Sequence, residues 1–274
     1  KAAREKLGWP YAPFEVPDVV LAEWRKLGGR GRADREAWER RLGAAEAGAR
    51  SEFERRIAGV LPTGWQQALD AHKRKVSAEA PKWATRQASG EALKVLTEAI
   101  PELIGGSADL TGSVNTKTPS TKPVTANDFS GRYVHWGVRE HGMAAAMNGI
   151  ALHKGLIPYA GTFLVFADYM RPSMRLSALM EQRVIYVLTH DSIGLGEDGP
   201  THQAVETLAS LRAIPNFRLF RPCDGVETAE CWALALERRD GPSGLALTRQ
   251  GVPTLRLAHA GDNLSARGAY VLAE

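Results

Sequence analysis

Glu140 is the first residue whose surroundings suggest chemistry. It stands in the run Gly137-Val138-Arg139-Glu140-His141-Gly142-Met143, at the head of small residues from Ala144 to Gly149 that read as a closely packed helix. A carboxyl at the edge of such a crowded site is costly to leave ionised and unpaired, which suits it to proton transfer or to hydrogen bonding a bound heterocycle. The plainer alternative is a first-turn acid favoured by the helix dipole.

A second stretch shifts the balance towards chemistry. Thr189-His190-Asp191-Ser192-Ile193-Gly194-Leu195-Gly196-Glu197-Asp198-Gly199-Pro200-Thr201-His202-Gln203 follows the apolar run Val184 to Leu188, which reads as a buried strand. Two histidines, three acids and three glycines share this loop. Ligands of open α/β sheets bind at the carboxyl ends of strands, and glycines there allow backbone shapes closed to other residues. Phe163, Phe166 and Tyr169 lie at helix-like spacing just past a strand end, where a ring can stack on a ligand or fill a core.

The elements that must position these residues alternate. Helices are expected over 86–99, 140–153, 164–181, 203–213 and 225–239, and strands at 103–107, 132–135, 156–160, 183–189, 217–220 and 244–248. That order implies an α/β fold, a mainly parallel sheet with helices on both faces. Ahead of it, residues 1–16, with Pro10 and Pro13, read as extended, and 18–58 as charged helix broken near Gly28, Gly29 and Gly31. A further helix is expected from Gly64 to Val76, completing a helical N-terminal extension thin in core-forming residues.

The 274 residues suffice for one large domain with extensions. The charge of +4 comes entirely from residues 1–80, where the signs alternate as on a solvated helix, and no basic–aromatic pattern points to nucleic acid. No apolar run approaches the ~20 residues of a membrane helix. Cys223 and Cys231 have neither zinc nor disulfide-framework spacing, so reduced thiols in a cytoplasmic protein are expected.

Eight segments in order along the chain resemble transketolase, a thiamine-diphosphate enzyme of sugar-phosphate metabolism. They are Leu7-Gly8-Trp9-Pro10 with Pro13-Phe14, Ala84-Thr85-Arg86, Gly105 to Ser113, Arg139 to Met143, Gly161 to Phe166, His190 to Gln203, Arg221-Pro222-Cys223-Asp224 and Thr248-Arg249-Gln250. The resemblance implies a pyrimidine-type thiamine-diphosphate-binding domain over 81–258. Residues 1–80 resemble the tail of the diphosphate-binding domain with its linker, and 259–274 the start of a C-terminal domain. The family's Gly-Asp-Gly…Asn motif for metal and diphosphate is not found. With no initiator Met, and Tyr270 to Glu274 reading as a new strand, the chain is expected to be a fragment or one subunit of a split enzyme, inactive alone.

Residue roles follow from the same resemblance. Glu140 is implied as the glutamate that hydrogen-bonds the cofactor's pyrimidine nitrogen and promotes loss of the thiazolium proton. Phe163, Phe166 and Tyr169 are implied as its aromatic contacts, and Asp109 and Leu110 as further cofactor neighbours. Arg86, Ser113, His190 and Arg249 match the substrate-phosphate end; Asp198 and His202 match residues facing the sugar hydroxyls, His202 also serving catalysis. Gly112 and Val114 around Ser113, and Gln87-Ala88 after Arg86, depart from the family pattern. No metal ligand is expected here: the family's Mg2+ or Ca2+ sits on the diphosphate-binding domain. A homodimer of the complete enzyme, with sugar phosphates as substrates, is implied. The rivals are a dihydroxyacetone-synthase-like enzyme, which shares most of these motifs, and a catalytically inactive assembly subunit. A deoxyxylulose-phosphate synthase fits the histidine loop and Ser107 to Leu110 less well.

Overall fold

The computed structural model describes residues 1–272, which divide into two compact units, Lys1–Glu54 and the chain from Arg55 onwards. Four helices are built largely from the first unit: α1 (Ala2–Lys6), α2 (Asp18–Gly28), α3 (Arg32–Ala44) and α4 (Ala47–Ile57), the last crossing the boundary. None of them contains a buried residue. Apolar contact in this unit is local, as between Trp38 and Phe53, whose rings meet edge-on at 6.1 Å.

Two expectations for this unit are corrected. Residues 1–16 are not extended throughout. Ala2-Ala3-Arg4-Glu5-Lys6 are good helix formers and make one turn, which ends before Gly8 at φ +65°. The charged helix also breaks where no glycine marks it, at Ala45-Glu46. There the Glu46 carboxylate accepts the backbone N–H groups of Gly48 (2.8 Å) and Ala49 (2.9 Å) and so starts α4 anew.

The second unit carries helices α5 (Trp65–Glu79), α6 (Thr85–Ala99), α7 (Thr111–Val114), α8 (Glu140–His153), α9 (Ala167–Leu179), α10 (Thr207–Arg212) and α11 (Gly225–Glu237). Its strands are β1 (Leu103–Ser107), β2 (Tyr133–His135), β3 (Ile157–Phe163), β4 (Ile185–Thr189), β5 (Arg218–Phe220) and β6 (Ser243–Leu247). They form one sheet in the order β2-β1-β3-β4-β6-β5, every pairing parallel. This is the α/β fold with a parallel sheet expected from the sequence.

Side chains alternate between two cores, as the period-2 geometry of strands requires. Ile185 and Val187 of β4 join Trp65, Leu93, Leu96 and Trp232 beneath α5, α6 and α11. Tyr186 and Leu188 join Met143, Met147, Met170 and Met174 beneath α8 and α9 on the other face. The expected Gly64–Val76 helix is thus α5, and it supplies Trp65 and Leu69 to the first core.

Three departures from the expected elements have local causes. β3 continues past Ala160 because Gly161, Thr162 and Phe163 keep pairing with Val187, Leu188 and Thr189 of β4. Phe163 therefore ends a strand, and a 3-10 turn, Leu164–Phe166, precedes α9. The helix expected over 203–213 is confined to the shorter α10, and a separate 3-10 turn at Pro200–His202 precedes it. Tyr270 to Leu272 form no strand; Ala273 and Glu274, the end of the strand expected there, lie outside the described residues. No helix among the described residues is long and apolar enough to cross a membrane.

Candidate active site

The carboxyl ends of the central strands converge on one region, since every strand points the same way. The chain leaves β1 towards β2 on one side and returns past β1 to β3 on the other, so the order of the sheet reverses at β1. Such a reversal opens the crevice where α/β sheets bind ligands. Ser107, Phe163, Thr189 and Leu247 end the four strands from β1 to β6.

Glu140 enters this region as the first residue of α8. It is buried, at 7% exposure. Its carboxyl accepts one long hydrogen bond, 3.4 Å, from the Thr162 hydroxyl. A carboxylate has room for about four such bonds, so most of its accepting capacity is unused among the described residues.

Thr162 leads directly to Phe163 and an aromatic cluster. The Phe163 ring stacks on His190 at 3.7 Å between centroids and lies parallel to Phe166 at 5.6 Å. His202 meets both phenylalanines edge-on, at 6.0 and 5.4 Å. Tyr169 extends the row, 5.9 Å from Phe166, but is exposed. Asp109, exposed and at φ +62°, and half-buried Leu110 follow β1. The Leu110 N–H donates to Ser107 Oγ (2.9 Å), and the Ala108 N–H to the Gly161 carbonyl (3.1 Å), which ties this turn to β3.

A charged cluster adjoins the rings. Arg86, in the first turn of α6, donates to the backbone carbonyl of Ser113 at 2.6 Å. Arg249, just past β6, pairs with Glu197 and lies 3.7 Å from Asp198. Burial, and then the neighbouring Arg249 charge, lower the pKa of Arg86, with Asp198 opposing. Arg86 Nε and Asp198 Oδ2 are buried without a hydrogen-bond partner.

His190 joins the two clusters. It is 3% exposed, held at φ +58°, and shares a 2.9 Å hydrogen bond between its Nδ1 and Thr189 Oγ1. Burial, reinforced by Arg86, pushes its pKa down to about 4. The folded value lies below the unfolded one of about 6.5. The stability that comes from a neutral His190 is therefore complete above that value and is lost as pH falls towards 4. In a pH titration followed by 15N NMR, the His190 ring should keep its neutral signature down to about pH 4. A midpoint near 6.5 would contradict this placement.

The sequence-derived residues thus fall into an aromatic group with Glu140 and a polar group around Arg86 and Arg249. Ser113 contributes its backbone carbonyl rather than its hydroxyl. Thr162, Thr189 and Glu197 are participants that reading the sequence passed over, although each sits inside a quoted motif. Alternation along β3 was the available signal for Thr162, which faces opposite to its neighbours. Among the described residues, no group of three or more His, Cys, Asp or Glu side chains could hold a metal ion. Cys223 and Cys231 are free thiols.

Residues 81–254 match the family model of the transketolase pyrimidine-binding domain, and residues 1–62 match that of the transketolase thiamine-diphosphate-binding domain. The chain belongs to the transketolase family. It is 58% identical to a transketolase of Sinorhizobium medicae over 100% of this chain and 39% of the relative. With a transketolase of Cereibacter sphaeroides the identity is 56%, over 99% of this chain and 41% of the relative. A Pichia stipitis transketolase solved in complex with xylulose-5-phosphate superposes with a TM-score of 0.88 at 39% identity, covering 99% of this chain and 41% of that one. The chain therefore spans about two-fifths of the length of the transketolases it matches.

Proposed function

We propose that this chain forms the aminopyrimidine side of a thiamine-diphosphate site, in a transketolase that moves a two-carbon ketol unit from a ketose phosphate to an aldose phosphate. One observation carries the reading. Glu140 is a buried carboxyl with spare accepting capacity, joined through Thr162 to an aromatic cluster at the carboxyl ends of parallel strands. The donor set fits a flat, nitrogen-bearing ring: an acid to meet a ring nitrogen and aromatic faces to lie against it.

When bound, thiamine diphosphate supplies the nucleophilic carbon that carries the two-carbon unit. Glu140 holds a proton between its carboxyl and the pyrimidine nitrogen, a role that suits an acid screened from bulk water. Phe163 and Phe166, with Tyr169 at the rim and Asp109 and Leu110 on the adjacent turn, orient the ring and exclude water. Arg86 and Arg249 hold the substrate phosphate, for which guanidinium forks are well shaped. Ser113 and His190 line that end. Asp198 accepts from a sugar hydroxyl, and His202 donates to or accepts from the reacting oxygens. A magnesium or calcium ion would be held by the diphosphate-binding domain of the complete enzyme. That enzyme works as a homodimer in the cytoplasm, within pentose phosphate metabolism.

The sugar-phosphate assignment draws on the paired arginines and on relatives solved with sedoheptulose-7-phosphate, xylulose-5-phosphate and fructose-6-phosphate. The test is two-carbon transfer from xylulose 5-phosphate to ribose 5-phosphate by this chain assembled with a diphosphate-binding domain, thiamine diphosphate and magnesium. Turnover supports the reading. A well-formed assembly without turnover leaves an inactive assembly subunit, and turnover with formaldehyde as the preferred acceptor leaves a dihydroxyacetone-synthase-like enzyme.

A further inference from the structure

Arg86 and Arg249 are the two cations of the polar cluster, Glu197 and Asp198 its two anions, and His190 is neutral. The charges of these side chains already sum to zero. A phosphate dianion entering the cluster must displace one carboxylate or lie against both.

The two carboxylates are not equivalent. Asp198 has a side chain only 29% exposed, and its Oδ2 is buried. Glu197 has a side chain 78% exposed, yet its carboxylate is the one in direct contact with Arg249. Water can take up Glu197 at small cost, whereas moving Asp198 would uncover a group built into the loop. Glu197 and Asp198 lie between Gly196 at φ +94° and Gly199 at φ +78°, conformations that favour glycine. A Cβ at Gly196 would lie 3.5 Å from an Arg249 guanidinium nitrogen, so the loop passes close to the cation.

We propose that Glu197 occupies the substrate-phosphate subsite in the resting protein, pairing with Arg249 until a sugar phosphate displaces it. Glu197 is then a specificity residue: it sets the threshold of anionic charge a ligand must carry to claim Arg249. This rests on the assignment of Arg249 to the phosphate end. An exposed carboxylate that competes with a dianion raises the apparent dissociation constant without touching the reacting atoms, so its removal acts on KM rather than kcat.

The test compares wild type with Glu197→Gln in the assembled holoenzyme, using xylulose 5-phosphate and unphosphorylated hydroxypyruvate as donors. Glu197→Gln is expected to lower KM for xylulose 5-phosphate by about two- to fivefold, the scale of an exposed ion pair. KM for hydroxypyruvate should stay where it was. An unchanged or higher KM for the phosphorylated donor overturns the proposal, and so does an equal fall for both donors. If wild type shows no turnover, the functional reading fails, but the latch is still tested. Inorganic phosphate titrated into the chain alone, followed at the Arg249 Nε resonance by NMR, should bind more tightly in Glu197→Gln by the same factor. Equal binding by both proteins overturns it.

Discussion

In the assembled enzyme proposed above, replacing Glu140 by glutamine is expected to lower two-carbon transfer by roughly a hundred- to ten-thousandfold, the span of a lost proton-transfer group. The variant separates chemistry from folding because it is nearly isosteric. Glu140 accepts only one hydrogen bond among the described residues, the 3.4 Å bond from Thr162, and a glutamine oxygen can keep it. Stability should therefore stay within about 1 kcal/mol of wild type. Steady-state turnover and thermal unfolding, measured on the same preparation, check the two halves together. A variant that keeps most of its activity would remove Glu140 from the proton path, whatever its effect on stability.

Replacing Glu230 by alanine is expected to have the largest effect on stability, although the residue is not part of the candidate site. Glu230 is 1% exposed on α11 and bridges two buried cations: Lys73 of α5 at 2.9 Å and Arg256 at 2.7 Å. Lys73 Nζ also donates to the carbonyls of Ala260 and Asp262, and the Glu230 carboxylate accepts from Ser265, so the network fastens the segment after β6 onto α11. Removing the acid leaves two uncompensated buried charges, at a cost of about 3–5 kcal/mol. The triple change Lys73→Met, Glu230→Leu, Arg256→Met should recover most of that loss, because an apolar set of similar volume carries no desolvation cost. Denaturant unfolding of all three proteins tests this, and a full effect persisting in the triple variant would point to shape rather than charge.

The same network gives a sign for acid sensitivity. Burial on its own raises the Glu230 pKa, but hydrogen bonds from Arg256, Lys73 and Ser265 prevail and hold it below the ordinary value. A group lowered in the fold stabilises at pH above its unfolded value of about 4.3 and gives up that stability as pH falls below it.

The fold was legible where burial leaves a strong local mark. Val184 to Leu188 is buried on both faces of the sheet, so β4 reads as an unbroken apolar run, and the small residues behind Glu140 read as α8. Of the site, Glu140 and the histidine loop were legible because unusual residue types stand close together in sequence. What depends on distant partners left no such mark. Lys73, Glu230 and Arg256 are three ordinary charged residues until α5 and α11 bring them together. The contact of Glu197 with Arg249 joins the loop after β4 to the end of β6, and only the adjacency of those strands creates it. The break at Ala45-Glu46 was hidden for a different reason. A side chain caps α4 there, and a glutamate among many charged residues does not announce that role.

In the proposed site the pyrimidine ring of the cofactor meets Glu140. Thiamine diphosphate labelled with 15N at the pyrimidine ring nitrogen, bound to this chain assembled with a diphosphate-binding domain, tests it directly. The bound nitrogen resonance should move towards its protonated position in wild type and stay near its neutral position in Glu140→Gln. Cofactor bound to both proteins with identical nitrogen resonances would contradict it.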